Sequence, residues 1–153
     1  MLYLAADHRG FNLKESITHF LRGQQVLFED CGAFSYNKDD DYVDFARVAA
    51  EKISANPLEN KGIFLCGSGH GVDMTANKFK GVHAALCWNS EVAKQSRAHD
   101  DANVLILPAD WLDEHAAEEI VTTWLGTNFS NEERHVRRLE KIEEIENQKY
   151  NKL

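Results

Sequence analysis

The sequence predicts an α/β fold in which five parallel strands form a sheet with helices on both faces. Three observations lead there. Short apolar, β-rich runs recur along the chain, the stretches between them are long enough for crossover helices, and several of those stretches carry apolar residues at helical spacing. Alternation of this kind is βαβ rhythm, whose stable packing is a parallel sheet covered on both sides.

The strands are expected over 2–6, 26–28, 62–66, 82–87 and 103–107. A first helix over 12–21 places Leu13, Ile17, Phe20 and Leu21 on one face, and a second over 43–53 does the same with Phe45, Val48, Ala49 and Ile53. The stretch 111–125 repeats the pattern with Leu112, Ala116, Ile120, Val121 and Trp124, and Gly126 is placed to stop it. Beyond Asn131 the chain turns strongly polar. Val136, Leu139, Ile142 and Ile145 nevertheless keep a narrow apolar stripe through a long charged helix over 131–150. Such a stripe needs a partner, either its own domain or a second subunit, and the second is the favoured expectation. The two prolines, Pro57 and Pro108, fall in expected loops, and no repeat or low-complexity linker divides the chain. One domain over 1–153 is expected.

Composition excludes several classes. No apolar run reaches the roughly 18 residues of a membrane span. A net charge of −8 opposes binding to a nucleic-acid backbone, although the basic knot Arg134-His135-Val136-Arg137-Arg138 is suited to one small anion. Cys31, Cys66 and Cys87 are odd in number and show no CxxC spacing, which argues against a disulfide framework and a zinc cage. The apolar start at 1–6 lacks a preceding positive charge and is broken by Asp7-His8-Arg9, so it makes a poor signal peptide. A cytoplasmic location is expected.

The stretch Ile63-Phe64-Leu65-Cys66-Gly67-Ser68-Gly69-His70-Gly71 is a buried-looking strand running into a loop with glycine at every second position. In a parallel sheet, ligands gather at the carboxyl ends of strands, where loop amides face the crevice. Gly67, Gly69 and Gly71 with Ser68 can form a nest of N–H donors, and Cys66 stands at its edge. That arrangement suits proton abstraction beside a carbonyl, with the amides stabilising an enediolate, provided the thiol pKa falls from about 8.5 towards neutrality. A strand cysteine also reads as an inert small hydrophobe, and a glycine loop as a plain turn. No Gly-Lys-Ser/Thr follows, the sixth-position glycine of the dinucleotide fingerprint is missing, and no Arg closes a phosphatase loop.

Extended to Lys78, this loop (CGSGHGVDMTANK) resembles the signature of the type B ribose-5-phosphate isomerases and the related galactose-6-phosphate isomerase subunits. Further landmarks stand in family order: Ala6-Asp7-His8-Arg9-Gly10-Phe11, Asp30-Cys31-Gly32-Ala33, Asp40-Asp41-Tyr42, Ser96-Arg97-Ala98-His99 and the basic knot at 134–138. The resemblance spans nearly the whole chain. It implies a Rossmann-like three-layer αβα sandwich, a homodimer with two sites at its interface (tetramers left open), and interconversion of ribose 5-phosphate and ribulose 5-phosphate without metal or organic cofactor.

In this family the base is a cysteine closing the third strand or, in another branch, a glutamate just after the last loop glycine. Cys66 and Val72 occupy those positions, which places the chain in the cysteine branch, and Asp73 beside Val72 reads as a first-turn helix residue. By the same resemblance His99, expected just after a helix, assists ring opening. Imidazole suits that task because its pKa of about 6.5 lets it give or take a proton. Ser68 joins the anion hole formed by Gly67, Gly69, His70 and Gly71. Asp7 and Tyr42 touch sugar hydroxyls or hold neighbouring groups, while His8, Arg134 and Arg138 bind phosphate. Arg134 and Arg138, four apart, share one helix face.

Two positions depart from the family pattern. Asp110 stands where an arginine usually completes the phosphate clamp, and Asp100 replaces an asparagine next to His99. A carboxylate repels phosphate, so another cation such as Arg9, Arg97 or Arg137 compensates or the substrate preference has moved. Two other readings stand beside the isomerase: a catalytically silent sugar-phosphate binder on the same scaffold, and a redox-responsive interaction protein using Cys66.

Overall fold

The computed structural model describes residues 1–150, so the last three residues of the expected domain lie outside the described residues. Five strands form one parallel sheet: β1 (Leu2–Ala6), β2 (Phe28–Asp30), β3 (Lys61–Cys66), β4 (Ala84–Leu86) and β5 (Val104–Pro108), in the order β2-β1-β3-β5-β4. Among the described residues six α-helices accompany them: α1 (Phe11–Gly23), α2 (Tyr42–Ala55), α3 (His70–Ala76), α4 (Ser90–Asp100), α5 (Glu114–Gly126) and α6 (Glu133–Tyr150). A short 3-10 turn, Ala109–Trp111, follows β5.

The central strands β1, β3 and β5 are buried on both faces, which is why they read as continuous apolar runs rather than alternating ones. One core lies between the sheet and α1 and α5, around Leu4, Ile17, Leu65, Leu107 and Trp124. The other lies towards α2 and α3, around Ala49, Ile53, Phe64, Val72 and Ile106. These are the three expected layers.

Several boundaries differ from the sequence expectation. The second strand begins at Phe28, because Val26 still donates its N–H to the Leu21 carbonyl at the end of α1 and the ladder with β1 starts at the Leu2–Phe28 pair. The helix expected over 111–125 begins at Glu114, capped by the Asp113 carboxylate on the Ala116 N–H, and leaves Trp111 in the 3-10 turn. His99 does not follow a helix; it sits in the last turn of α4. His70 and Gly71 open α3 rather than belonging to the loop before it.

Helix α6 makes contacts within its own chain. Glu146 accepts the Gly81 N–H at 2.9 Å, and Val136 and Leu139 line a cavity of about 510 Å³ with Pro57, Leu58 and Phe129. Ile142 and Ile145 remain 50% and 59% exposed, so half of the apolar stripe is left uncovered.

Candidate functional site

The strand order places β1 and β3 side by side where the topology reverses, and the crevice outside their carboxyl ends is the favoured ligand site of such sheets. Three loops meet there: 7–10 after β1, 67–69 after β3 and 109–113 after β5. Cys66 pairs in register with Pro108, which brings Gly67 beside the start of the β5 loop, and the Asp110 N–H donates to the Gly67 carbonyl at 3.0 Å.

Cys66 is 4% exposed at the end of the middle strand. Burial pushes the thiols of Cys31 and Cys87 up to about 11, so both stay protonated at neutral pH. Gly69 follows with φ of 82°, a left-handed conformation that a side chain resists, and it caps α3. The Ser68 hydroxyl accepts the His70 N–H at 3.3 Å. Two side chains press on the loop and the first turn of α3 that follows it. A Cβ on Gly71 would lie 2.4 Å from the Tyr42 ring, and one on Gly67 would lie 2.5 Å from the Arg9 guanidinium. Tyr42, which by the resemblance touches a sugar hydroxyl or holds a neighbouring group, therefore packs on the first turn of α3, just beyond the loop.

Asp7 is largely committed to folding. Its Oδ1 accepts the N–H groups of Arg9 and Gly10 at 3.0 and 3.1 Å, which builds the turn from β1 into α1. His8 is held by Asp40, whose Oδ1 accepts from both the His8 backbone N–H and ring Nδ1. Asp7, His8 and Asp40 each bring a possible metal-ligand atom within 4.8 Å of the others, yet Asp7 Oδ1 and Asp40 Oδ1 are already engaged, which reads as orientation of the imidazole. Asp110 forms an ion pair with Arg9 across the end of β3.

Four residues named from the sequence are elsewhere. Helix α4 runs back from the carboxyl edge, and the Ala102 N–H bonds to the Ser96 carbonyl just before β5 begins, which puts His99 and Asp100 at the amino edge. The Ser130 N–H bonds to the Ala98 carbonyl, bringing the start of α6 with Arg134 and Arg138 to the same edge. His99 and His135 stack there with ring centroids 4.5 Å apart. About 13 Å of β5 separates the two edges, so one chain carries the site in two halves. The 510 Å³ cavity also opens at the amino edge and is not lined by the Cys66 loop.

Reasoning from sequence gave no role to Asp40, which is one of three consecutive aspartates, or to His135, quoted only as part of a basic knot. Neither carried a distinguishing signal. The turn that faces one carboxylate inward and the burial of one histidine are set by distant packing.

Known proteins share both the sequence and the architecture. The family model described as Ribose/Galactose Isomerase matches residues 2–142. The chain belongs to this family. It is 40% identical over 141 residues to the probable ribose-5-phosphate isomerase B of Mycoplasma genitalium, covering 92% of each chain. It is also 40% identical to the ribose-5-phosphate isomerase B of Mycolicibacterium paratuberculosis, over 95% of this chain and 91% of that protein. The crystal structure of the Mycoplasma genitalium enzyme with bound ribulose-5-phosphate superposes with a TM-score of 0.92 over 95% of each chain. The Trypanosoma brucei type B enzyme does so at 0.88, with 37% identity, over 95% of this chain and 97% of that one. Within this chain, Cys66 closes β3 and Asp110 is engaged by Arg9.

Proposed function

We propose that this chain is an aldose–ketose isomerase that interconverts ribose 5-phosphate and ribulose 5-phosphate or a closely related sugar phosphate. The observation that carries the reading is the place of Cys66: at the end of the middle strand, nearly closed to solvent, next to the glycine loop, with the Arg9 guanidinium lying against Gly67. In the forward reaction the Cys66 thiolate takes the proton from C2 of the open-chain aldose. The electron pair moves towards the carbonyl oxygen, and the amides of 67–71 with Ser68 hold the resulting enediolate. The same sulfur returns the proton to C1 while the C2 hydroxyl gives its proton over to O1, so C2 becomes the carbonyl, C1 the alcohol, and nothing outside the sugar is oxidised. His8 binds the phosphate.

The ring-opening and phosphate residues at the amino edge, His99, Asp100, Arg134 and Arg138, complete this site from a second copy of the chain. The reading is therefore a homodimer with two composite sites, towards which the exposed Ile142 and Ile145 of α6 offer apolar surface. The whole chain acts as one isomerase domain. Two thiols held near 11 and the free state of all three cysteines suit a reducing cytoplasm.

Turnover of purified protein on five- and six-carbon sugar phosphates tests the proposal, with deuterium uptake from solvent as a second readout that separates an isomerase from a silent binder. Cys66→Ala is expected to lose about 10²-fold or more in rate. Wild-type protein that neither isomerises nor exchanges any of these sugars would end it.

A further inference from the structure

The three loops that build the carboxyl-edge crevice carry Asp7, Asp110 and Asp113 but only one Lys or Arg, which is Arg9. A phosphate dianion entering this crevice meets one full positive charge from these loops. The Asp110 carboxylate, just after β5, pairs with Arg9. The pair spans the end of β3: Arg9 follows β1, Asp110 follows β5, and the guanidinium lies against Gly67 between them.

Stability does not account for the contact. The side chains are 56% and 35% exposed, and ion pairs so open to water contribute little to folding. What the contact does is fix position. Asp110 is itself anchored through its N–H to the Gly67 carbonyl, so the carboxylate has a set place at the mouth of the loop. It engages one terminal nitrogen of Arg9, and a guanidinium presents five N–H donors in a rigid fork, so donors remain for an anion on the other side. A long side chain held in place before the ligand arrives loses less freedom on binding.

We propose that Arg9, oriented by Asp110 across the end of β3, is a specificity-determining cation that joins His8 in receiving the phosphate of the substrate. The cation stands on the β1 loop, and the carboxylate at 110 is its support. This rests on the isomerase reading given above and adds to it a residue that selects phosphorylated over free sugars.

Arg9→Ala and Asp110→Asn, each checked for an unchanged unfolding temperature, are assayed with ribose 5-phosphate, with free ribose supplied at high concentration, and by calorimetric titration with inorganic phosphate. Arg9→Ala is expected to raise KM for ribose 5-phosphate about tenfold or more and to weaken phosphate binding equally, with kcat within about threefold, as loss of a charge-assisted contact requires. Turnover of free ribose, where detectable, stays as in the wild type. Asp110→Asn is expected to raise KM by a smaller factor of about three. Unchanged KM and phosphate binding in Arg9→Ala would overturn the inference, as would a lower KM in Asp110→Asn, which would mean that the carboxylate repels the substrate. Wild-type protein inactive on every sugar phosphate defeats the isomerase reading instead, and the phosphate titration still reports on Arg9.

Discussion

Asp40 holds His8 twice through one atom: its Oδ1 lies 2.9 Å from the His8 backbone nitrogen and 2.7 Å from ring Nδ1. The side chain of Asp40 is 7% exposed, and its Oδ2 is buried with no hydrogen-bond partner among the described residues. With Nδ1 engaged, Nε2 is the ring nitrogen left for a ligand.

Asp40 is therefore expected to act on substrate through His8. Asp40→Ala should raise KM for the sugar phosphate about tenfold, and Asp40→Asn, which keeps the shape without the charge, should raise it less. A double-mutant cycle checks the route. If the carboxylate works only by orienting the imidazole, adding Asp40→Ala to His8→Ala changes KM little further. Additive losses would mean that Asp40 meets the sugar by another path.

Lys14 is fully buried on the inner face of α1 and pairs with Asp30 at the end of β2, with Glu15 also 3.3 Å away. Asp30 additionally accepts the Gly32 N–H. Removing the carboxylate leaves an ammonium sealed from water with weaker compensation. Asp30→Ala is expected to cost about 3–5 kcal/mol, a fall of about 10 °C in unfolding temperature. Lys14→Met should cost less, because Asp30 keeps its backbone partner and partial access to water. Thermal unfolding followed by circular dichroism checks the order, and the reverse ranking would contradict the assignment.

The sheet was legible because three of its five strands are buried on both faces, which forces long runs such as Ile63-Phe64-Leu65 that no loop would carry. The limits of α4 were not. Its inward side chains are Ala93, Ser96 and Arg97, so it shows no apolar stripe. Arg97 is buried because Asp101 and the carbonyls of Ala102 and Thr127 accept its N–H groups, a set of partners that exists only after folding. The place of the Cys66 loop after a buried strand was legible from strand-then-glycine spacing, while a role for its cysteine came from the resemblance. The Arg9–Asp110 pair, 101 residues apart, required the strand order that sets β1 and β5 on either side of β3.

At the amino edge, His135 is buried under α4, stacked on His99 and bonded to the Ser130 hydroxyl at 2.9 Å. Burial first, and then the charges of His99, Arg134 and Arg138, push its pKa below the ordinary histidine value, against an opposing pull from Glu132. The sign follows. The unfolded chain binds this proton at a higher pH than the folded one, so stability is full above the unfolded pKa of about 6.5 and declines as pH falls from there through the folded value. Unfolding temperatures from pH 8 to pH 5 should fall more steeply in the wild type than in His135→Gln. Parallel curves would show that this imidazole does not carry the acid sensitivity.

In a single chain Cys66 and His99 stand at opposite edges of the sheet, so a site that needs both cannot be intramolecular. If two copies pair with each carboxyl edge meeting the partner's amino edge, each site takes its sulfur from one chain and its imidazole from the other. Cys66→Ala and His99→Ala, each expected to be about 10²-fold impaired alone, should then complement. In an equal mixture after subunit exchange, half the dimers are mixed, and each mixed dimer holds one intact site beside one lacking both groups. Activity should recover to about a quarter of the wild type under two-fold pairing. Differently tagged copies purified together establish that exchange has taken place. A mixture that has exchanged yet remains as inactive as its parents would remove one of the two groups from the reaction.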